Sequence, residues 1–151
     1  ICYICSDENR DTSQLMLVSR DIDFEAIEKS KSYNGYYFIL GGNIPILDKE
    51  PEKKIRLKEL MERIKKNQEK NQEKNQIKEI ILSLNANVEG EHTAEFIRDY
   101  LRIYFKEKFS ADGVNSELSI SILGRGLSTG TELEYSDTDT IKNALKNREQ
   151  I

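Results

Sequence analysis

Cysteine is nearly absent from this chain. Two residues in 151 are cysteine, and both, Cys2 and Cys5, lie in the opening "ICYICSDENRD". Two cysteines make no disulfide framework, and the composition reads as that of an intracellular protein, with a cytoplasmic location expected. Long hydrophobic runs are missing too. No stretch approaches the ~20 apolar residues that cross a bilayer, and no signal peptide is visible. No Gly-Lys-Ser or Gly-Lys-Thr occurs, so a phosphate loop for ATP is not expected. Histidine occurs once, at His92, and a lone histidine reads as a solvated helix residue.

What is present is a polar globular composition, one third charged and 37% apolar, neither membranous nor wholly disordered. The length suits one ordinary domain with a real core. The net charge of −4 hides an asymmetry: between Glu52 and Lys78 ten Lys/Arg face five Glu, a local excess of +5 against −9 elsewhere. Such a stretch reads first as a solvated helix face, and more sharply as a surface for phosphate.

Apolar patterning lays out alternating elements. "LMLVS" (Leu15 to Ser19) reads as a strand buried on both faces. A helix carrying Phe24, Ala26 and Ile27 follows, with Asp21 or Asp23 as N-cap and Gly35 as stop. "YYFIL" (Tyr36 to Leu40) is the second strand, ending at Gly41-Gly42, and a loop with Pro45 and Pro51 comes next. Residues 52 to 76 read as one long polar helix with a thin stripe of Ile55, Leu60, Met61 and Ile64. Inside it "NQEK" starts at Asn67 and Asn71 and "NQIK" at Asn75. On a helix this period would stack Lys66, Lys70, Lys74 and Lys78 into one ridge, which costs ~0.2–0.5 kcal/mol per like-charge pair. The segment therefore reads as a low-complexity insertion, about 65–78, part helix and part loop.

"EIILSL" (Glu79 to Leu84) is the clearest strand. "NANVEGE" reads as the loop after it, and a helix over roughly Glu91 to Phe109 carries Ala94, Ile97, Leu101, Tyr104 and Phe105 on one face. "ADGVN" breaks it, "ELSISIL" (Glu117 to Leu123) is the fourth strand, and a glycine-rich loop leads to a closing helix from Thr138 or Asp139 to Arg148. Strands alternating with helices predict an α/β fold, a four-stranded, mostly parallel sheet flanked by helices. Function in such sheets gathers at the C-terminal strand ends: Ser19-Arg20, Gly41-Gly42, Asn85 to Glu91 and Gly124 to Thr131.

"CYICSDENRD", "LMLVS" with "RDIDFEAIE", "GYYFILGGNIPILD", "EIILSLNANVEGEHTA" and "GRGLSTGTELEYSDTDTIKNAL" stand in an order that resembles the RecR family of bacterial recombination mediators. The resemblance covers nearly the whole chain apart from the NQEK insertion. It implies a Toprim domain over 14–130, the C-terminal half of a four-Cys zinc finger over 1–13, and a C-terminal oligomerisation segment over 131–151. In the family a helix-hairpin-helix and a first Cys pair precede these parts, so the chain is expected to be a fragment starting inside the finger. Cys2 and Cys5 would then be two of four zinc ligands, a site incomplete in this chain. The resemblance further implies DNA repair and recombination through a ring-like, DNA-binding homo-oligomer (dimer to tetramer), working with RecO and RecF.

Catalytic Toprim domains hold Mg²⁺ with a glutamate after the first strand and an Asp-x-Asp after the third. Here those positions read Ser19 (or Arg20) and Asn85-Ala86-Asn87, and an amide is a poor substitute for an anionic ligand of a hard cation. No nuclease, ligase or primase activity is expected. Glu89 and Glu91 suit a helix N-terminus, and the resemblance assigns them, with Glu134 and Asp137, to an acidic, partner-binding rim. Tyr135 is expected at an interface, and Arg20 and Arg125 are the candidate phosphate contacts. Two alternatives stay open at this point: a catalytic Toprim nuclease or primase-type enzyme, and a diverged protein-interaction module without DNA binding.

Overall fold

The computed structural model describes residues 2–69, 73–110 and 116–151. Strands and helices alternate: β1 (Asp11–Val18), α1 (Asp21–Ser30), β2 (Gly35–Ile39), α2 (Leu57–Glu69), β3 (Glu79–Ser83), α3 (Val88–Tyr104), β4 (Ser119–Ile122) and α4 (Thr138–Lys146). The strand order is β2-β1-β3-β4, and β1 runs parallel to both β2 and β3. The expected α/β fold around a four-stranded parallel sheet is therefore present. The chain divides into two compact units, Ile1–Ser121 and Ile122–Ile151.

Continuous apolar sequence marks the central strand for a physical reason. Leu15, Met16, Leu17 and Val18 are all buried, as a strand covered on both faces requires. Leu15 and Leu17 join Phe38, Leu40, Ile80 and Leu82 in one core, closed by Leu57, Leu60, Met61 and Ile64 of α2 and Ala94, Ile97 and Leu101 of α3. Alternation sends Met16 and Val18 to the opposite face. There Phe24 of α1 meets Tyr37 edge-on at 4.8 Å between centroids. This cover is thin, since α1 has no fully buried residue.

Several boundaries differ from the sequence expectations. The N-cap of α1 is Arg20; Asp23 sits three residues in and accepts from the Arg20 N–H at 3.1 Å. The helix ends at Lys31 in the left-handed region (φ 53°), and Gly35 opens β2 instead of stopping α1. The long helix over 52–76 is shorter. Pro51–Lys53 form a 3-10 turn, α2 spans Leu57–Glu69, and a second 3-10 turn covers Glu73–Asn75. The lysine ridge does not form: Lys74 and Lys78 lie off α2, and Lys70 and the middle repeat's Asn71 and Gln72 lie outside the described residues, as does "ADGVN". On α3 the expected face holds for Ala94, Ile97 and Leu101, but Tyr104 is exposed.

The first and last repeats grip each other. Asn67 donates through Nδ2 to the Asn75 carbonyl at 2.8 Å and accepts the Ile77 N–H at 2.7 Å. Gln68 donates to the Ile77 carbonyl at 2.9 Å. These amides bring the chain back to the start of β3.

The outer edge of β2 is covered by arginines. In a parallel strand alternate residues turn both polar backbone groups outward; here those are Gly35, Tyr37 and Ile39, since Leu40 donates inward to the Val18 carbonyl. Arg10 Nη1 donates to the Gly35 carbonyl at 2.9 Å, Arg63 Nη1 to that of Tyr37 at 2.7 Å and Arg56 Nη1 to that of Ile39 at 3.2 Å. Arg10 also grips Glu28 through two hydrogen bonds of 2.9 and 2.8 Å, and the Tyr37 hydroxyl donates to Glu28 Oε1 at 2.9 Å. The Arg10 hydrogen bonds hold the Glu28 carboxyl below its ordinary value of 4.5. Burial, and then its bond to Glu28, raise Tyr37.

A depressed folded-state carboxylate lends stability that is present above its unfolded pKa and lost as pH falls through the folded one. Glu28→Gln is therefore expected to lower stability at neutral pH and to flatten the decline below about pH 4.5, read by urea melts across the acid range. Asn67→Ala leaves the half-buried Ile77 N–H without its acceptor and is expected to cost about 1–2 kcal/mol in the same melts.

Candidate functional site

The rim at the C-terminal strand ends is built by one hydrogen-bonded chain. Ser19 follows β1 directly and is buried; its Oγ donates to Asn43 Oδ1 at 2.7 Å, and its carbonyl accepts the Gly41 N–H at 2.9 Å. Gly41 and Gly42 adopt φ of 87° and 156°, a turn open to residues without a Cβ. The loop continues to Ile44, whose N–H donates to Thr93 Oγ1 of α3 at 2.9 Å, and Thr93 donates in turn to the Glu89 carbonyl at 2.8 Å. The ends of β1 and β2 are thereby tied to the first turns of α3.

That helix begins earlier than the sequence suggested. Asn87 is its N-cap, accepting the Gly90 N–H at 2.8 Å, so Glu89, Gly90 and Glu91 form its first turn instead of a loop before it. Ser, Asp and Asn are the side chains that satisfy such orphan donors. Gly90 is buried against the Asn85 backbone, and a Cβ there would collide with the Asn85 carbonyl oxygen. Asn85, Asn87, Glu89 and Glu91 are exposed. Two carboxylates at this N-terminus are stabilised by its dipole, by ~0.3–1 kcal/mol each. Arg20, also exposed, lies on the same rim as the N-cap of α1.

The remaining sequence candidates belong to the C-terminal unit. Asp137 caps α4, accepting the Thr140 N–H at 2.7 Å, which holds its carboxyl below the usual value. Glu134 and Tyr135 are exposed on a 3-10 turn. The Arg125 carbonyl accepts from Asn147 Nδ2. α4 has no buried residue, and Leu127, Leu133, Tyr135 and Leu145 are exposed.

At the other end of the chain Cys2 and Cys5 are exposed, with their sulfurs 3.4 Å apart. Two thiolates on one tetrahedral Zn²⁺, at about 2.3 Å each, stand about 3.8 Å apart, so the pair fits half of such a site. Hydrogen bonds from the Cys5 backbone and from the Cys5 thiol lower Cys2, whereas burial raises Cys5. No group of three or more His, Cys, Asp or Glu is gathered for a metal among the described residues. The knuckle is anchored by buried Ile4. It faces the β2 edge across a cavity of ≈ 530 Å³ that Tyr3, Phe24, Phe38, Arg56 and Arg63 also line. No helix among the described residues is long and apolar enough to cross a membrane.

Sequence reasoning missed Asn43 and Thr93, which hold the rim together, and the three edge arginines. Asn43, beside the glycines, carried a turn signal. The arginines carried none, because a carbonyl acceptor leaves no trace in side-chain pattern.

Gly90→Ala forces α3 away from Asn85 and is expected to cost about 1–3 kcal/mol, read as a lower urea midpoint, whereas Glu91→Ala is expected to cost no more than the ~0.3–1 kcal/mol of its dipole interaction.

Comparison with known proteins agrees with this architecture. Residues 13–115 match the Toprim domain family and residues 126–149 the family "RecR, C-terminal". Recombination protein RecR of Legionella pneumophila is 36% identical over 151 residues, all of this chain and 66% of the relative. That of Staphylococcus aureus is 33% identical over 150 residues, 99% of this chain and 66% of the relative. The chain thus spans about two thirds of the length of these relatives. With a Toprim sheet, the matching C-terminal element and this identity along its whole length, the chain belongs to the RecR family of Toprim-domain proteins.

Proposed function

We propose that the protein is a non-catalytic mediator of DNA recombination and repair, acting in the cytoplasm as a DNA-binding oligomer. The observation that carries this reading is the similarity to recombination proteins along all 151 residues. The rim chemistry supports the non-catalytic part. A metal-dependent Toprim site needs carboxylates at the ends of β1 and β3. Ser19 instead spends its hydroxyl on Asn43 behind the surface, and Asn85 and Asn87 offer only amides, one of them committed to capping α3.

In this reading Glu89 and Glu91 are the contact surface for a RecO-like partner, since they are exposed on a helix that the fold already holds rigid. Arg20 and Arg125 meet DNA phosphate. The C-terminal segment, 131–151, with Glu134, Tyr135 and Asp137, docks on a neighbouring subunit in a ring. Its unburied amphipathic α4 supports that role, because an apolar helix face left in water is costly. Cys2 and Cys5 supply two ligands of a structural zinc site that needs two more. Zinc there would fix the knuckle by coordination, and Ile4 would transmit that fixation to the sheet.

Purified full-length protein is expected to bind gapped DNA with an affinity that falls steeply as salt rises, and to leave DNA uncut and unligated in Mg²⁺. Cleavage abolished by Glu89→Ala would overturn the reading, and DNA binding indifferent to salt would turn it toward a protein-interaction module. Glu89→Ala with Glu91→Ala is expected to weaken RecO-like partner binding about tenfold or more in titration calorimetry, while urea melts show a loss of no more than about 2 kcal/mol from the two dipole interactions.

A further inference from the structure

Among the described residues Arg63 is a half-buried cation without a carboxylate partner. It stands on α2 between buried Leu60 and Ile64, and its Nη1 donates to the Tyr37 carbonyl at 2.7 Å. Among the described residues no carboxylate approaches it within 4.0 Å, although seven other ion pairs meet that limit. Asp21 and Glu59 line the same cavity, but both are exposed to water. Arg56, the other cation there, is exposed and stacks over the Phe38 ring at 5.0 Å.

Taking a guanidinium partly out of water is costly unless an opposite charge repays it. A carbonyl supplies a dipole and no charge. The Cys5 and Cys2 sulfurs and the phenols of Tyr33 and Tyr36 are close enough to act on the Arg63 charge. Cys2 and Cys5 line the same cavity as Arg63, so thiolates held by a metal there would supply the negative charge that the carbonyl lacks.

We propose that Arg63 is the resident counter-charge of the Cys2–Cys5 metal site, its guanidinium fixed by the Tyr37 carbonyl so that it faces the metal-bound thiolates. The proposal rests on the zinc reading above. A Zn²⁺ held by four thiolates keeps a net double negative charge, and a positioned cation stabilises it without entering the coordination sphere. Partners of this kind typically change metal affinity 10- to 100-fold when removed. Arg63 therefore couples the sulfur site to the edge of β2 through a single side chain.

The test uses full-length protein purified with zinc, its affinity read by competition with a chromogenic chelator. Arg63→Gln removes the charge while keeping a donor for the Tyr37 carbonyl, Arg63→Lys keeps the charge, and Arg102→Gln on the exposed side of α3 is the control. The Gln variant is expected to hold zinc about tenfold more weakly or worse, the Lys variant and the control near the wild type, all with wild-type circular dichroism. Zinc affinity unchanged in Arg63→Gln overturns the proposal, as does equal loss in the Lys and Gln variants. Wild-type protein that carries no zinc overturns the zinc reading itself, a separate outcome visible before any variant is compared. If Arg63→Gln does not fold, wild-type zinc affinity in Arg63→Lys supports the role and loss there ends it.

Discussion

Guanidinium groups from Arg10, Arg56 and Arg63 occupy the carbonyls of Gly35, Tyr37 and Ile39 along the open edge of β2. An edge strand otherwise presents unpaired backbone groups to any passing chain. Each arginine comes from a different part of the sequence: the N-terminal segment, the approach to α2, and α2 itself. The same three bonds that cover the edge therefore attach these parts to the sheet. Arg10 adds Glu28 of α1, so the thinly packed face is held by charge-assisted hydrogen bonds where apolar burial is small. The cysteine knuckle, which has little core of its own, rests against the same edge.

The C-terminal ends of the strands are organised by neutral groups. Ser19, Asn43, Ile44, Thr93 and Glu89 form a chain of hydrogen bonds from the end of β1 to the start of α3. Gly90 lets that helix start directly on the Asn85 backbone. Carboxylates are absent from the interior of this rim and present on its outside, at Glu89 and Glu91.

Much of the fold was legible in the chain. "LMLVS" announced a strand buried on both faces because a covered strand needs apolar residues on each, "EIILSL" announced a strand, and Leu60, Met61 and Ile64 of α2 are buried as their spacing implied, as is Ile55 just before the helix. The boundaries were less legible, for local reasons. Glu, Lys and Gln in "EKNQEKNQ" favour a helix, yet Asn67 and Gln68 use their amides on residues 75–77, and the helix ends at Glu69. "NANVEGE" looked like a loop because glycine suggests a turn, whereas the buried contact at Gly90 needs the smallest residue inside a helix. Of the site, the rim positions could be read from strand ends. The arginine–carbonyl bonds could not, since they depend on backbone direction at an edge that only the assembled sheet defines.

The grip of Asn67 and Gln68 on residues 75–77 has a consequence for how this stretch of chain can vary. The residues that close the loop, Asn and Gln, recur every four positions, so gaining or losing one unit presents the same amides to the same backbone groups. Loop closure itself depends only weakly on length, by about 0.6 kcal/mol per doubling. Strand register is set by the pairing of β3 itself, which enters the sheet at Glu79 opposite Gln14, and a change in repeat number is expected to leave that pairing in place. A tandem repeat, the kind of sequence most prone to change in copy number, thus lies between a helix and a strand whose own pairing fixes its register.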